Sequence, residues 1–232
     1  MRRLVAAFGL LLSLCAVMPC SADTIFANNA GSTIATAEDL TALGPTEIVG
    51  SLDGDPNDAA VFEIFNRDPA NFSAMTIAPG AFGIPDTVLS LFNSAGVGVY
   101  LNDDISGGNT LSCLPSAGAG DPCPTTGTAL PVGIYYLAIS ESANYPIDGL
   151  GNEIFAPSQS TDLATPVSFN PVAGWDGYSF TSPDTDLVDY DIIITGTTPE
   201  PGTWVLTALG VVMGLAVLRR RRPAAGCRPS AE

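Results

Sequence analysis

Almost every side chain in this sequence with the means to do chemistry is a carboxylate. Asp53-Gly54-Asp55-Pro56-Asn57-Asp58 packs four oxygen-bearing side chains into six positions, Asn102-Asp103-Asp104 adds three in succession, and Asp86 stands directly before a strand-like run. Calcium takes six to eight oxygen ligands, and loops rich in Asp and Asn supply them. The first cluster opens as D-x-D-x-N, but it lacks the later Gly and the bidentate Glu of an EF-hand loop, and no helical pattern flanks it. The pattern therefore nominates Asp55, Asn57, Asp58, Asp86, Asp103 and Asp104 as ligands of a Ca2+ ion held between strand-connecting loops. The same residue types also make turns without any ion, and both readings stand at this stage. Asp184-Thr185-Asp186 is a weaker cluster, read as a turn.

What is missing narrows the chemistry. The 232 residues include no His and no Lys. That removes Ser-His-Asp and Cys-His nucleophile systems, ordinary zinc sites and the Lys-dependent phosphate loop. Of enzymatic chemistries only a carboxylate pair remains, which needs two acids ~5–10 Å apart in a cleft. The expectation is that the protein is not an enzyme, with a carboxylate-based hydrolase as the remote alternative. Of five cysteines, Cys15 and Cys20 lie in the leader and Cys227 near the far end, which leaves Cys113 and Cys123 in a Gly/Pro-rich stretch of the central region. An exported chain with two such cysteines pairs them most simply as a structural disulfide.

The two ends read as addresses. Arg2-Arg3, an apolar core over 4–17 and the small residues Cys20-Ser21-Ala22 form a secretory signal peptide over 1–22. Lipidation of Cys15 or Cys20 fits poorly, because Leu14 and Pro19 precede them. Near the other end stand Pro199-Glu200-Pro201, an apolar run over 203–218, and Arg219-Arg220-Arg221-Arg222. The run is 16 residues long, shorter than the ~20 that cross a full hydrocarbon core; Trp204 is placed as an interfacial anchor, and the arginines stay cytoplasmic. This series resembles the PEP-CTERM sorting signal of Gram-negative bacteria over 199–222. The resemblance implies a signal peptidase and an exosortase as processing partners, transient anchoring in the inner membrane by the C-terminal helix, and a final place at the cell surface or outside the cell. Residues 223–232 continue past the arginines as a cytoplasmic tail, where such signals usually stop.

Between the addresses, residues 23–198 carry 22 acids against the single base Arg67, a net charge of −21. Such a surface has no electrostatic means of holding nucleic acid, which needs basic patches.

About 175 residues make one domain, and no stretch sustains a 3.6-residue period. Strand-like runs recur at 47–52, 60–65, 74–78, 87–92, 98–101, 134–140 and 190–195. Phe62 and Ile64 fall on one face with Glu63 opposite, and Tyr190, Ile192 and Ile194 share a face with Asp189 and Asp191 opposite, the pattern of half-buried antiparallel strands. Short strands separated by turn residues predict an all-β fold, a single antiparallel β-sandwich of jelly-roll type over 23–198. A weak helical candidate covers 36–43, and 144–176, rich in Pro, Gly and Asn, reads as a long loop or insertion. Trp175 reads as a core plug, with sugar stacking as the alternative. Asn71-Phe72-Ser73 matches a glycosylation acceptor, read as accidental.

Pro85-Asp86-Thr87-Val88-Leu89-Ser90-Leu91-Phe92-Asn93, then Leu101-Asn102-Asp103-Asp104 with Gly107-Gly108, then Gly133-Ile134-Tyr135-Tyr136-Leu137-Ala138-Ile139-Ser140 stand in an order that resembles the bacterial pre-peptidase C-terminal (PPC) domain. Asp58-Ala59-Ala60-Val61-Phe62-Glu63-Ile64 is similar to that family's opening strand and 190–195 to its closing one, so the likeness spans 46–196. It implies a small β-sandwich without catalysis of its own, sometimes calcium-binding. The sequence thus leads to an exported, non-enzymatic surface or extracellular-matrix protein associated with polysaccharide or biofilm. The alternative is a calcium-dependent carbohydrate- or protein-binding module, with Tyr135, Tyr145, Trp175 or Tyr178 as its aromatic platform.

Overall fold

Alternating apolar residues do form strands where the pattern is longest. The computed structural model describes residues 23–27, 29–52, 58–78, 86–106, 108–115, 123, 127–156, 163–177 and 188–198. These lie in one compact unit, Ser21–Thr198. The signal peptide, the 199–222 sorting signal with its helix, the 223–232 tail, and Asp55, Asn57, Tyr178 and Asp184-Thr185-Asp186 lie outside the described residues.

The chain order is β1 (Thr24–Phe26), a single 3-10 turn (Ile34–Thr36), β2 (Glu38–Asp39), β3 (Glu47–Leu52), β4 (Ala59–Asn66), β5 (Ser73–Ile77), β6 (Thr87–Asn93), β7 (Gly98–Asn102), β8 (Cys113–Leu114), β9 (Gly133–Glu141), β10 (Pro146–Asp148), β11 (Val172–Trp175) and β12 (Val188–Thr195). Two five-stranded sheets result, ordered β1-β3-β12-β5-β8 and β2-β4-β9-β6-β7. One apolar core joins them. Ile48, Ala74, Tyr190, Ile192 and Ile194 of the first sheet meet Phe62, Ile64, Leu89, Leu91, Leu137 and Ile139 of the second, which is the sandwich arrangement. Phe62 and Tyr190 pack edge to face, their ring centres 6.4 Å apart. Tyr190 is paired with Gly50 across the sheet. A Cβ at Gly50 would lie 2.4 Å from the Tyr190 hydroxyl, so the ring occupies the space a side chain would need.

Two expectations are corrected. The sheets are mixed rather than antiparallel throughout, because β1 pairs with β3 and β2 with β4 in parallel. Parallel neighbours need a long connection, and here the N-terminal segment provides it by alternating between the sheets before β3 and β4 are laid down.

No helix forms over 36–43. Its propensity is overridden by edge pairing with β4, by Leu40 entering the core with its amide on the Glu63 carbonyl (2.8 Å), and by the Asp39 carboxylate accepting from the Thr41 amide (2.9 Å) in a tight turn.

The 144–176 segment, read as a long loop or insertion, carries two short strands of its own. β10 and β11 pair antiparallel, and Ile154, Phe155, Ala164 and Trp175 bury themselves on Ala59, Val61, Val88, Phe92, Leu101 and Ala138. The second sheet is therefore covered on both faces. This is why β4 is buried at Ala59, Ala60, Val61 and Phe62 in succession instead of alternating, as strands covered on both sides do.

Candidate metal centre

The β6–β7 hairpin places the acids. Its antiparallel register pairs Leu89 with Asn102 and Ser90 with Leu101. Continued past the strand ends, that register sets Asp86, just before β6, beside Asp103 and Asp104, just after β7. A carboxylate oxygen from each of the three lies within 4.8 Å of the others. Buried polar groups hold the backbone there. The Asn102 amide donates to the Asp104 carbonyl (3.0 Å) while its oxygen accepts from the Cys113 amide (2.7 Å). The Ser112 hydroxyl meets the Asp103 carbonyl (2.9 Å), and Thr76 and Thr87 complete a hydroxyl cluster around it. Cys113 is itself fixed by a disulfide to Cys123, with Cα atoms 5.6 Å apart.

Asp103 is the centre of the site, at 5 % exposure. Its Oδ2 accepts from the Tyr145 hydroxyl at 2.8 Å. Its Oδ1 is buried with no hydrogen-bond partner among the described residues, a vacancy that ordinarily costs free energy unless something fills it. Burial pushes the Asp103 carboxyl up to about 6, with the Tyr145 and Ser142 hydroxyls pulling the other way and the charges of Asp104 and Asp86 adding to the rise. Burial also raises Tyr145, and its bond to the Asp103 carboxylate raises it further. Glu141 is raised by burial, then by Asp58 and Asp86.

No base of the domain answers these charges. Arg67, the single base of 23–198, donates to the Thr41 carbonyl (2.9 Å) and the Thr197 carbonyl (3.0 Å) and lies over the Phe65 ring. Asp148 shows what a matched carboxylate looks like in the same fold. At 2 % exposure it accepts from Asn170 Nδ2 (2.8 Å), the Asn152 and Leu150 amides (3.0 and 2.9 Å) and the Ser168 hydroxyl (3.0 Å). These donors hold it well below the usual carboxylate range. Asp103 has only the Tyr145 and Ser142 hydroxyls against two like-charged neighbours, with Oδ1 left without a hydrogen-bond partner among the described residues, the surroundings of a cation ligand.

Of the six ligands nominated from sequence, the structure brings Asp86, Asp103 and Asp104 together. Asp58 does not join that set. Its carbonyl accepts from Asn144 Nδ2 (2.9 Å), and its charge bears on Glu141. Tyr145 and Ser142 are neighbours that sequence reasoning did not place here. Their position follows from β9 running beside β6, with Glu141 paired to Thr87 and the Ser142 amide on the Asp86 carbonyl (2.9 Å). Of the four aromatics named for a platform, Tyr135 and Trp175 are buried, Trp175 donating its indole N–H to the Ser32 carbonyl (2.8 Å), Tyr145 is half-buried against Asp103, and Tyr178 lies outside the described residues. The cavity beneath β11, between Ser32, Ile34, Val61, Phe92 and Trp175, contains no carboxylate.

The raised Asp103 carboxyl sets a pH dependence for the cation-free domain. Its folded value of about 6 lies above its ordinary ~4, so protonation favours the fold. That contribution is complete below about pH 4 and lost as pH rises through about 6. Asp86 and Glu141 act in the same direction, whereas the lowered Asp148 and Asp39 carboxyls change stability only below their ordinary ~4 and leave the profile between pH 5 and 7.5 untouched. In EGTA the melting midpoint should fall by a few degrees between pH 5 and pH 7.5, and Asp103→Asn should flatten the profile. An unchanged wild-type midpoint across that range would refute the assignment.

No protein-family model, curated protein or solved structure matches the chain.

Proposed function

We propose that this protein is an exported, non-enzymatic component of the cell surface or extracellular matrix, sorted by an exosortase through its 199–222 signal and carrying a calcium-loaded β-sandwich of jelly-roll, PPC-like type. The observation that carries the reading is the convergence of Asp86, Asp103 and Asp104 in a domain whose single base is engaged elsewhere. Three carboxylates within 4.8 Å repel each other unless a cation or protons intervene, and a hard divalent ion is the natural partner for an all-oxygen site. Ca2+ outside the cell would then hold together a fold too acidic to associate with polyanions on its own. The second reading, a calcium-dependent carbohydrate- or protein-binding module, rests on the same centre: Asp86 is exposed, so an ion there has a side facing solvent. With Tyr135 and Trp175 buried, recognition would run through the ion rather than through aromatic stacking.

Fractionation of cells expressing the tagged chain tests the address. Wild type should appear in the surface or matrix fraction. Replacing Pro199, Glu200 and Pro201 by Ala should leave it with the inner membrane. Wild-type protein confined to the cytoplasm would overturn the proposal.

A further inference from the structure

Three connections tie the cation centre to the outer layer formed by the 144–176 segment. The first is the Tyr145 hydroxyl, which donates to Asp103 (2.8 Å). Tyr145 also stands at the neck of the layer. Its amide donates to the Asp176 carboxylate (3.0 Å), its carbonyl accepts from the Asp176 amide (3.0 Å), and next to it Asn144 Oδ1 accepts from the Gly177 amide (3.2 Å). One tyrosine therefore joins both ends of the layer to an acid of the centre.

The second connection is the turn between β9 and the layer. The Ser142 amide lies on the Asp86 carbonyl (2.9 Å), and Ala143 follows with φ 67°. That left-handed conformation costs a non-glycine residue of order 1 kcal/mol or more, so the turn holds only while its surroundings hold it. The third is at β7. Leu101 and Ala164 exchange both backbone hydrogen bonds (3.0 and 2.8 Å), two residues before Asp103.

We propose that cation occupancy of the Asp86–Asp103–Asp104 centre clamps the outer layer onto the second sheet, with Tyr145 as the positioning residue that transmits it. The proposal rests on the calcium reading above. Besides the convergence of the three acids, it stands on the buried, donorless Oδ1 of Asp103, 5 % exposed, which an ion would satisfy. With the ion bound, Asp103 is fixed as a carboxylate, and a hydrogen bond to an ionised acceptor is about twice as strong as one between neutral groups. Without it, mutual repulsion drives the three acids apart, and Tyr145 loses its fixed acceptor. The layer then opens more often than the sandwich beneath it, exposing Val61, Val88, Phe92, Phe155 and Trp175. Such local opening is read directly by amide exchange.

The test is hydrogen exchange on the full-length chain in mild detergent, in EGTA and in millimolar calcium. Calcium binding is followed in parallel by calorimetry. The amides to watch are Ala164 and Val172, bonded to Leu101 and Gly96, against the central β4–β9 amides as the reference for global opening. In EGTA the layer amides should exchange at least ~10-fold faster than the reference, and calcium should close most of that gap. Tyr145→Phe should bind calcium within ~3-fold of wild type yet keep the gap open in calcium, because only the hydroxyl that reaches Asp103 is gone. Calcium binding with an unchanged gap overturns the clamp and leaves the cation reading standing. A Tyr145→Phe chain that closes the gap as wild type does removes Tyr145 from it. No heat of calcium binding at all overturns both.

Discussion

In millimolar calcium the protein should melt about 5–10 °C above its midpoint in EGTA, and the Asp103→Ala/Asp104→Ala double variant should lose that difference. A site occupied at ~100 times its dissociation constant stabilises the native state by about 2.7 kcal/mol, and a domain of this size gains roughly 2–4 °C per kcal/mol. The sign in EGTA is the sharper diagnostic. Asp103 is buried, with one oxygen lacking a donor and two acids nearby. Removing one partner of a matched buried pair is costly, but removing an unmatched buried charge relieves desolvation and repulsion. The variant should therefore be as stable as wild type or more stable without calcium, and less stable with it. Differential scanning fluorimetry over a calcium series reads both. A variant destabilised equally in EGTA and in calcium would mean that Asp103 and Asp104 serve only the loop, and that the centre is not a cation site.

Truncating Trp175 to Ala should cost about 3–5 kcal/mol, the range for large aromatic-to-alanine changes in a core. Its ring closes the second apolar cluster over Val61, Phe92 and Phe155, and its N–H bonds the Ser32 carbonyl at 2.8 Å. Trp175→Phe keeps most of the apolar surface and loses the donor, so it should cost nearer 1 kcal/mol. Urea midpoints for the pair decide the point. Were Trp175 a ligand platform rather than a structural plug, the Ala variant would unfold within ~0.5 kcal/mol of wild type, as surface substitutions do.

Strands long enough to show a period were readable from sequence. The inward faces of β4 and β12 follow from Phe62/Ile64 and Tyr190/Ile192/Ile194 alone. β1, β2, β8, β10 and β11 have two to four residues each, too few to display alternation, and they form by pairing with strands already present. The outer layer was hidden for a different reason. Ile154, Phe155, Ala164 and Trp175 are scattered among Pro, Gly and Asn, so no local period announces them. Their partner did leave a sign: the unbroken runs Ala59-Ala60-Val61-Phe62 and Val88-Leu89 are those of strands covered on both faces. At the candidate centre, Asp86 and Asp103-Asp104 were legible because a hairpin brings its two open ends together. Tyr145 was not, since its place depends on the tertiary path of β9 and the neck behind it.

The last strand of the domain has a mechanical consequence. β12 lies inside the first sheet, hydrogen-bonded to β3 on one side and β5 on the other, both antiparallel. Immediately beyond it Arg67 grips the Thr197 carbonyl, and the amides of Arg67 and Asp68 both reach Gly196. In the sequence, the proposed anchoring signal begins at Pro199. Tension applied through that tether would run along β12, across ladders whose bonds stand perpendicular to the pull. Such bonds share the load in shear and do not peel one at a time. A chain held to a surface by its C-terminal end would thus take flow and drag on the strand best placed to resist extraction.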